Sequence, residues 1–115
     1  MPLGAREVIL GARAASALAD LEHKSSHEAV SIAKRVRALK TTLLADCLHG
    51  EVVRKDQIPK SLREEHGLSN LYVEDLPSFW RLLYTIVRDG GRRYIVVVEI
   101  VSHRTYSKWF PGRKR

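Results

Sequence analysis

Four residues in the last third of the chain carry groups that can move protons and grip phosphate: Arg81, His103, Arg104 and Tyr106. Histidine exchanges protons near neutral pH because its unperturbed pKa is about 6.5. Arginine stays charged and offers a planar fork of donors that matches phosphate oxygens. Tyrosine can orient a phosphate, stack on a base or donate a proton. Together these types suit RNA cleavage by the neighbouring 2′-hydroxyl, in which a base removes a proton, cations stabilise the pentavalent phosphate and an acid protonates the leaving 5′-oxygen. Each also has a plain structural use. His103 can end a strand, Arg81 can pair with Glu99 or Glu74, and Tyr106 can pack its ring and expose its hydroxyl.

The elements that must hold these residues together are a hairpin and its exit. Residues 79–87 and 94–101 are β-rich runs separated by Asp89-Gly90-Gly91, which predicts an antiparallel pair. With Gly90-Gly91 as a two-residue loop, Arg81 falls opposite Ile100, close to the exit Ser102-His103-Arg104-Thr105-Tyr106. Tyr84, in mid-strand, reads as core. Upstream, residues 6–10 form a short β-like run. Residues 12–23 then turn helical, with Ala14, Leu18 and Leu21 at three- and four-residue spacing. Ser25 and Glu28 form a capping box for a second helix, whose Ala29, Ile32, Ala33, Val36, Leu39, Leu43 and Leu44 share one face. A long polar connection follows over residues 49–69, with one or two helical turns between Pro59 and Gly67. Residues 70–75 form a strand, and residues 105–110 a last helical turn. The expected class is α+β: a small antiparallel sheet packed against an N-terminal helical hairpin, order β-α-α-β-β-β with a short C-terminal helical tail.

A chain of 115 residues, 44% of them hydrophobic, supports one modest core and a single domain. Its net charge of +7 is lopsided. Residues 88–115 hold eight Lys or Arg against two acids, giving +6, whereas residues 1–87 hold twelve against eleven, giving +1. Positive charge beside the exit attracts polyanions through counterion release, or an acidic protein. The tail Gly112-Arg113-Lys114-Arg115 also serves solubility. The lone Cys47 forms no internal disulfide, fits a reducing cytoplasm and reads as a buried space-filler. Neither a signal sequence nor a membrane span is expected. His23, His27, His49 and His66 lack tight ligand spacing with one another or with Cys47, so no metal and no cofactor is expected. Nucleotide hydrolysis and serine esterase chemistry lack their motifs.

The run Arg81-Leu82-Leu83-Tyr84-Thr85-Ile86, a Gly-containing turn, an aliphatic strand and the Ser-His-Arg-Thr-Tyr exit, preceded by Asn70-Leu71-Tyr72-Val73-Glu74-Asp75-Leu76-Pro77, resembles the RelE/ParE superfamily of small toxins. The likeness is to the archaeal RelE-like branch and spans nearly the whole chain. It implies a metal-independent endoribonuclease that cuts ribosome-bound mRNA and is neutralised by a cognate antitoxin. It casts Arg81 and Arg104 as phosphate-stabilising arginines, and His103 and Tyr106 as the exit pair. Arg54 and Lys55 correspond to basic RNA contacts, with Lys60, Lys108 and Arg113 as further candidates. The tail departs from the pattern, since Phe110 stands nearest to the catalytic tyrosine of bacterial RelE and no acid clearly matches the general-base glutamate of some relatives. Two other functions use the same scaffold: gyrase inhibition of the ParE kind, and RNA or protein binding without catalysis.

Overall fold

The computed structural model describes residues 3–112. In chain order its elements are β1 (Glu7–Leu10), α1 (Ala12–Glu22), α2 (His27–Ala45), β2 (Glu51–Val52), α3 (Lys60–His66), β3 (Tyr72–Asp75), β4 (Arg81–Asp89), β5 (Arg92–Val101) and α4 (His103–Trp109), with tight 3-10 turns at Lys55–Gln57 and Pro77–Phe79. The class is α+β, as expected. The sheet, however, is mixed rather than antiparallel: its order is β1-β5-β4-β3-β2, and β1 lies parallel to β5. The helical hairpin carries the chain from β1 to the far edge. Three antiparallel steps then bring β5 back beside β1, running the same way. The element order gains β2 and α3 inside the long connection.

The hairpin turn forms as its residues dictate. Gly90 (φ 59°) and Gly91 (φ 78°) take the paired positive φ that a two-residue loop requires, and Asp89 faces Arg92. Arg81 nevertheless pairs with Val101, not Ile100. The register shifts between Leu83, opposite Glu99, and Tyr84, opposite Val97, so that β5 carries one extra residue, Val98. The shift keeps Ile100 beside Leu82 against the helices and turns Val98 and Val101 to the other face. A bulge of this kind follows from which side chains the two cores accept, which the turn alone does not reveal.

Two other boundaries differ from expectation for local reasons. Ser26, not Ser25, caps α2, its hydroxyl accepting from the Ala29 N–H at 3.2 Å. Strand β3 starts at Tyr72 because the Asn70 side chain takes over the ladder. Its Oδ1 accepts from the Ile86 N–H (2.8 Å) and the Thr85 hydroxyl (2.9 Å), and its Nδ2 donates to the Ile86 carbonyl (2.9 Å).

The sheet is covered on both sides. On one face α1 and α2 bury Leu18, Leu21, Ile32, Val36, Leu39 and Leu43 against Leu82, Tyr84, Ile95 and Val97. Leu44, expected on that stripe, is exposed. Tyr84 anchors this layer: its hydroxyl donates to the Cys47 carbonyl (2.8 Å) and accepts from the Gly50 N–H (3.0 Å). Gly50 must be glycine here, since a Cβ would lie 2.9 Å from the Tyr84 hydroxyl and 3.0 Å from the Val73 carbonyl oxygen. Burial pushes the Tyr84 hydroxyl well above its ordinary pKa of 10.0. Cys47 is fully buried and unpaired. On the opposite face the 53–71 connection and α4 bury Val53, Ile58, Leu62, Leu71, Tyr106 and Phe110 against Val73, Leu83 and Val101. Among the described residues no helix is long and apolar enough to cross a membrane.

Candidate functional site

The four chemistry-bearing residues gather at one end of the sheet, where β4 begins and β5 leaves into α4. They divide by burial. Arg81 is 2% exposed and Tyr106 1%, whereas His103 and Arg104 are exposed on the first turn of α4. The Arg81 guanidinium lies over the Tyr106 ring, 4.9 Å from its centroid, a cation–π contact strengthened by desolvation. Its Nη1 donates to the Trp80 carbonyl (3.1 Å). Its Nε is 3.1 Å from Asp75 Oδ1, within ion-pair range, although the N–H is not aimed at that oxygen and makes no hydrogen bond. Arg81 therefore pairs with Asp75, directly across from it on β3, rather than with Glu74 or Glu99. Beneath, Tyr106 packs on Phe110 with centroids 4.8 Å apart. The tail aromatic Phe110 is thus a core residue, and Trp80 and Trp109 are partly buried.

Ser102 begins α4, accepting from the Thr105 N–H (3.4 Å), so the local role of the exit serine is capping. Its neighbour His103 projects outward, with Nε2 3.4 Å from the Ser107 hydroxyl. The His103 ring also faces Phe79, centroids 5.9 Å apart and planes tilted by 58°. Phe79 sits in the Pro77–Phe79 turn, where Ser78 (φ 60°) and Phe79 (φ 63°) both adopt left-handed backbone that side-chain-bearing residues disfavour. Such positions cost on the order of 1–3 kcal/mol each and persist where surrounding bonds enforce them. Here the Leu76 N–H to Trp80 carbonyl bond (2.9 Å) and the Trp80 N–H to Pro77 carbonyl bond (3.3 Å) close the turn. Asp75, Leu76, Ser78, Phe79 and Arg81 line a cavity of about 370 Å³ beside it.

The basic candidates lie around this face. Arg54, Lys55 and Lys60 are exposed on the connection that packs against α4, and Lys108 is exposed on α4 itself. Arg63 fixes the loop by donating to the carbonyls of Lys55 (3.2 Å) and Ile58 (3.1 Å), while Arg54 pairs with Asp56 (2.9 Å). Arg113 lies outside the described residues.

Sequence spacing left two polar clusters unseen, because each joins residues more than twenty positions apart. Glu74, buried on β3, holds His49 Nδ1 at 2.6 Å, at the rim of a cavity lined by Arg35, Glu51 and Asp75. Glu99, buried at the β5 bulge, meets His66 Nε2 and Arg13 Nε, both at 2.9 Å. Glu65 joins from α3 at 3.3 Å to each of the same two groups. Three donor groups of the kind that bind metals, Glu65, His66 and Glu99, thus lie within 4.8 Å of one another. The Arg13 guanidinium already supplies positive charge there. The signal available in the sequence was Glu99 inside the aliphatic run of β5, which burial makes expensive unless paired; Glu74, beside Asp75 at the end of β3, gave none.

Compared with protein-family models, curated proteins and solved structures, the chain has no match.

Proposed function

We propose that this protein is a RelE-like toxin that cleaves ribosome-bound mRNA without a metal and is held inactive by a cognate antitoxin. The observation that carries the reading is the gathering of His103, Arg104, Arg81 and Tyr106 at one sheet end, with exposed Arg104 and Lys108 on the same short helix. Burial divides their work. Exposed His103 and Arg104 meet the RNA: the imidazole moves a proton while the guanidinium neutralises charge on the phosphate. In the reaction the 2′-oxygen bonds to phosphorus as the 5′-oxygen leaves, giving a cyclic phosphate and a 5′-hydroxyl. Arg81 and Tyr106 act beneath them as a positioning pair, stacking β4 on α4 and so setting where His103 stands.

A second reading, binding without cleavage, is favoured by one observation: with Arg81 and Tyr106 buried, fewer groups remain to meet a scissile phosphate. Ribosome-programmed mRNA cleavage, with ends mapped by primer extension, separates the two. His103→Ala is expected to cut about 100-fold more slowly than wild type while unfolding at the same temperature. An uncut message under wild type, with RNA still bound in a salt-dependent manner, would leave the binding module; lost supercoiling by gyrase instead would move the assignment to the ParE kind.

A further inference from the structure

We propose that Phe79 is a stacking platform for one unpaired nucleobase, seated over the cavity between Phe79 and Arg81 with the sugar-phosphate directed toward His103. The proposal rests on the RNA-directed function above and names the contact that places the strand. Phe79 is 66% exposed, the most exposed large hydrophobic among the described residues, at the mouth of a cavity of about 370 Å³. That volume falls in the range of small-molecule pockets, about 300–1,000 Å³. Core packing accounts for little of the residue, since it is two-thirds exposed and its ring meets the exposed His103 ring. Hairpin geometry does not account for it either. At φ 63°, next to Ser78 at φ 60°, glycine would sit with less strain. An aromatic side chain kept exposed at a strained position, in a turn closed by two backbone hydrogen bonds, is a pre-organised surface.

The chemistry of the surroundings selects the ligand. Aromatic faces accept any base by stacking, and the exposed His103 ring, 5.9 Å away and tilted by 58°, buttresses the Phe79 ring from one side and leaves its other face for the base. The Asp75 carboxylate at the cavity rim accepts from amino groups and repels carbonyl oxygens. Adenine, guanine and cytosine carry such an amino group and uracil does not, so the platform favours amino-bearing bases. Exposed Arg104, next to His103 on the same helical turn, adds positive charge for the phosphate that follows the stacked base.

The test titrates the full chain with a short single-stranded RNA carrying one 2-aminopurine, an amino-bearing base whose fluorescence falls on stacking. Wild type is expected to quench the probe on binding. Phe79→Ala should bind about tenfold more weakly and lose the quench, and Phe79→Tyr should restore both. Phe79→Gly separates a binding role from a structural one: it relieves the backbone, so its melting temperature should equal or exceed that of wild type while its RNA affinity falls with that of Phe79→Ala. Quenching and affinity unchanged in Phe79→Ala would overturn the platform and leave the RNA-directed function standing. No RNA binding by wild type would overturn both.

Discussion

The two faces of the sheet are built on different principles. Against the helical hairpin, the interior is aliphatic, with Tyr84 as its central polar group and both of its backbone partners supplied by the 47–50 segment. Against α4, a buried arginine lies on a buried tyrosine and an exposed histidine stands on the first helical turn, and at that sheet end two side-chain-bearing residues are held in left-handed backbone in a turn that also meets α2. One face does what lowers the free energy of the fold. Its buried carboxylate, Glu74, is held by His49, whereas the α4 end retains a buried guanidinium, strain and exposed aromatic surface that stability alone would remove. Contrasts of this sort mark where a protein meets its ligand, because a group that must contact something else cannot also be optimally packed.

The largest effect expected from this contrast is on the hairpin side. Leu39 is fully buried between α2 and the sheet, so Leu39→Ala should lose about 2–5 kcal/mol in urea unfolding. A loss there smaller than that from Arg81→Met would break the contrast. Next comes Tyr84→Phe, which leaves the Gly50 N–H and the Cys47 carbonyl without their partner and should cost about 1–3 kcal/mol.

The same substitution carries a pH signature. Burial raises the native Tyr84 hydroxyl above its ordinary value of 10.0, so the unfolded chain ionises first. The stabilisation is fully present below pH 10.0 and is lost as pH rises from there toward the folded value. Wild type should therefore lose stability faster than Tyr84→Phe above that point, by up to about 1.4 kcal/mol per pH unit. Parallel slopes for the two proteins would show that this hydroxyl is not held un-ionised.

The smallest effect sharpens the other side. Arg81→Met keeps the volume and removes a buried charge whose partner Asp75 is 53% exposed in its side chain and stays hydrated. Replacing a buried ionic group with a fitting apolar one is often neutral, so unfolding should shift by less than about 1 kcal/mol. Under the proposed function, RNA cleavage should in contrast fall as His103 loses its support. A loss of stability equal to that of Leu39→Ala would make Arg81 a structural residue and remove it from the positioning role.

Much of the scaffold is legible in the sequence. The 3.6-residue spacing of Ile32, Val36, Leu39 and Leu43 defined α2, and Gly90-Gly91 between two β-rich runs defined the hairpin. Both are decided by residues close in sequence, whose propensities and hydrogen bonds need no distant partner. The gathering of Arg81 with the His103 exit was likewise readable, since a two-residue turn brings both strand ends together. The depth of each side chain was not: Arg81 and Tyr106 are as buried as leucines, and Phe79 passed as the opening residue of a strand.

Local patterns thus specify α1, α2 and the β4–β5 hairpin with its turn, the α+β class and the concentration of basic charge toward the C-terminal end, but not β2. Long-range packing alone sets β2, the parallel pairing of β1 with β5, the bulge at Val98, the pairing of His49 with Glu74 and of His66 with Glu99, and the strained exposure of Phe79. The reason is physical. Helices and tight turns are stabilised by neighbours a few positions away, whereas register, burial and buried ion pairs depend on which distant surfaces exclude water from one another, and no local pattern encodes that.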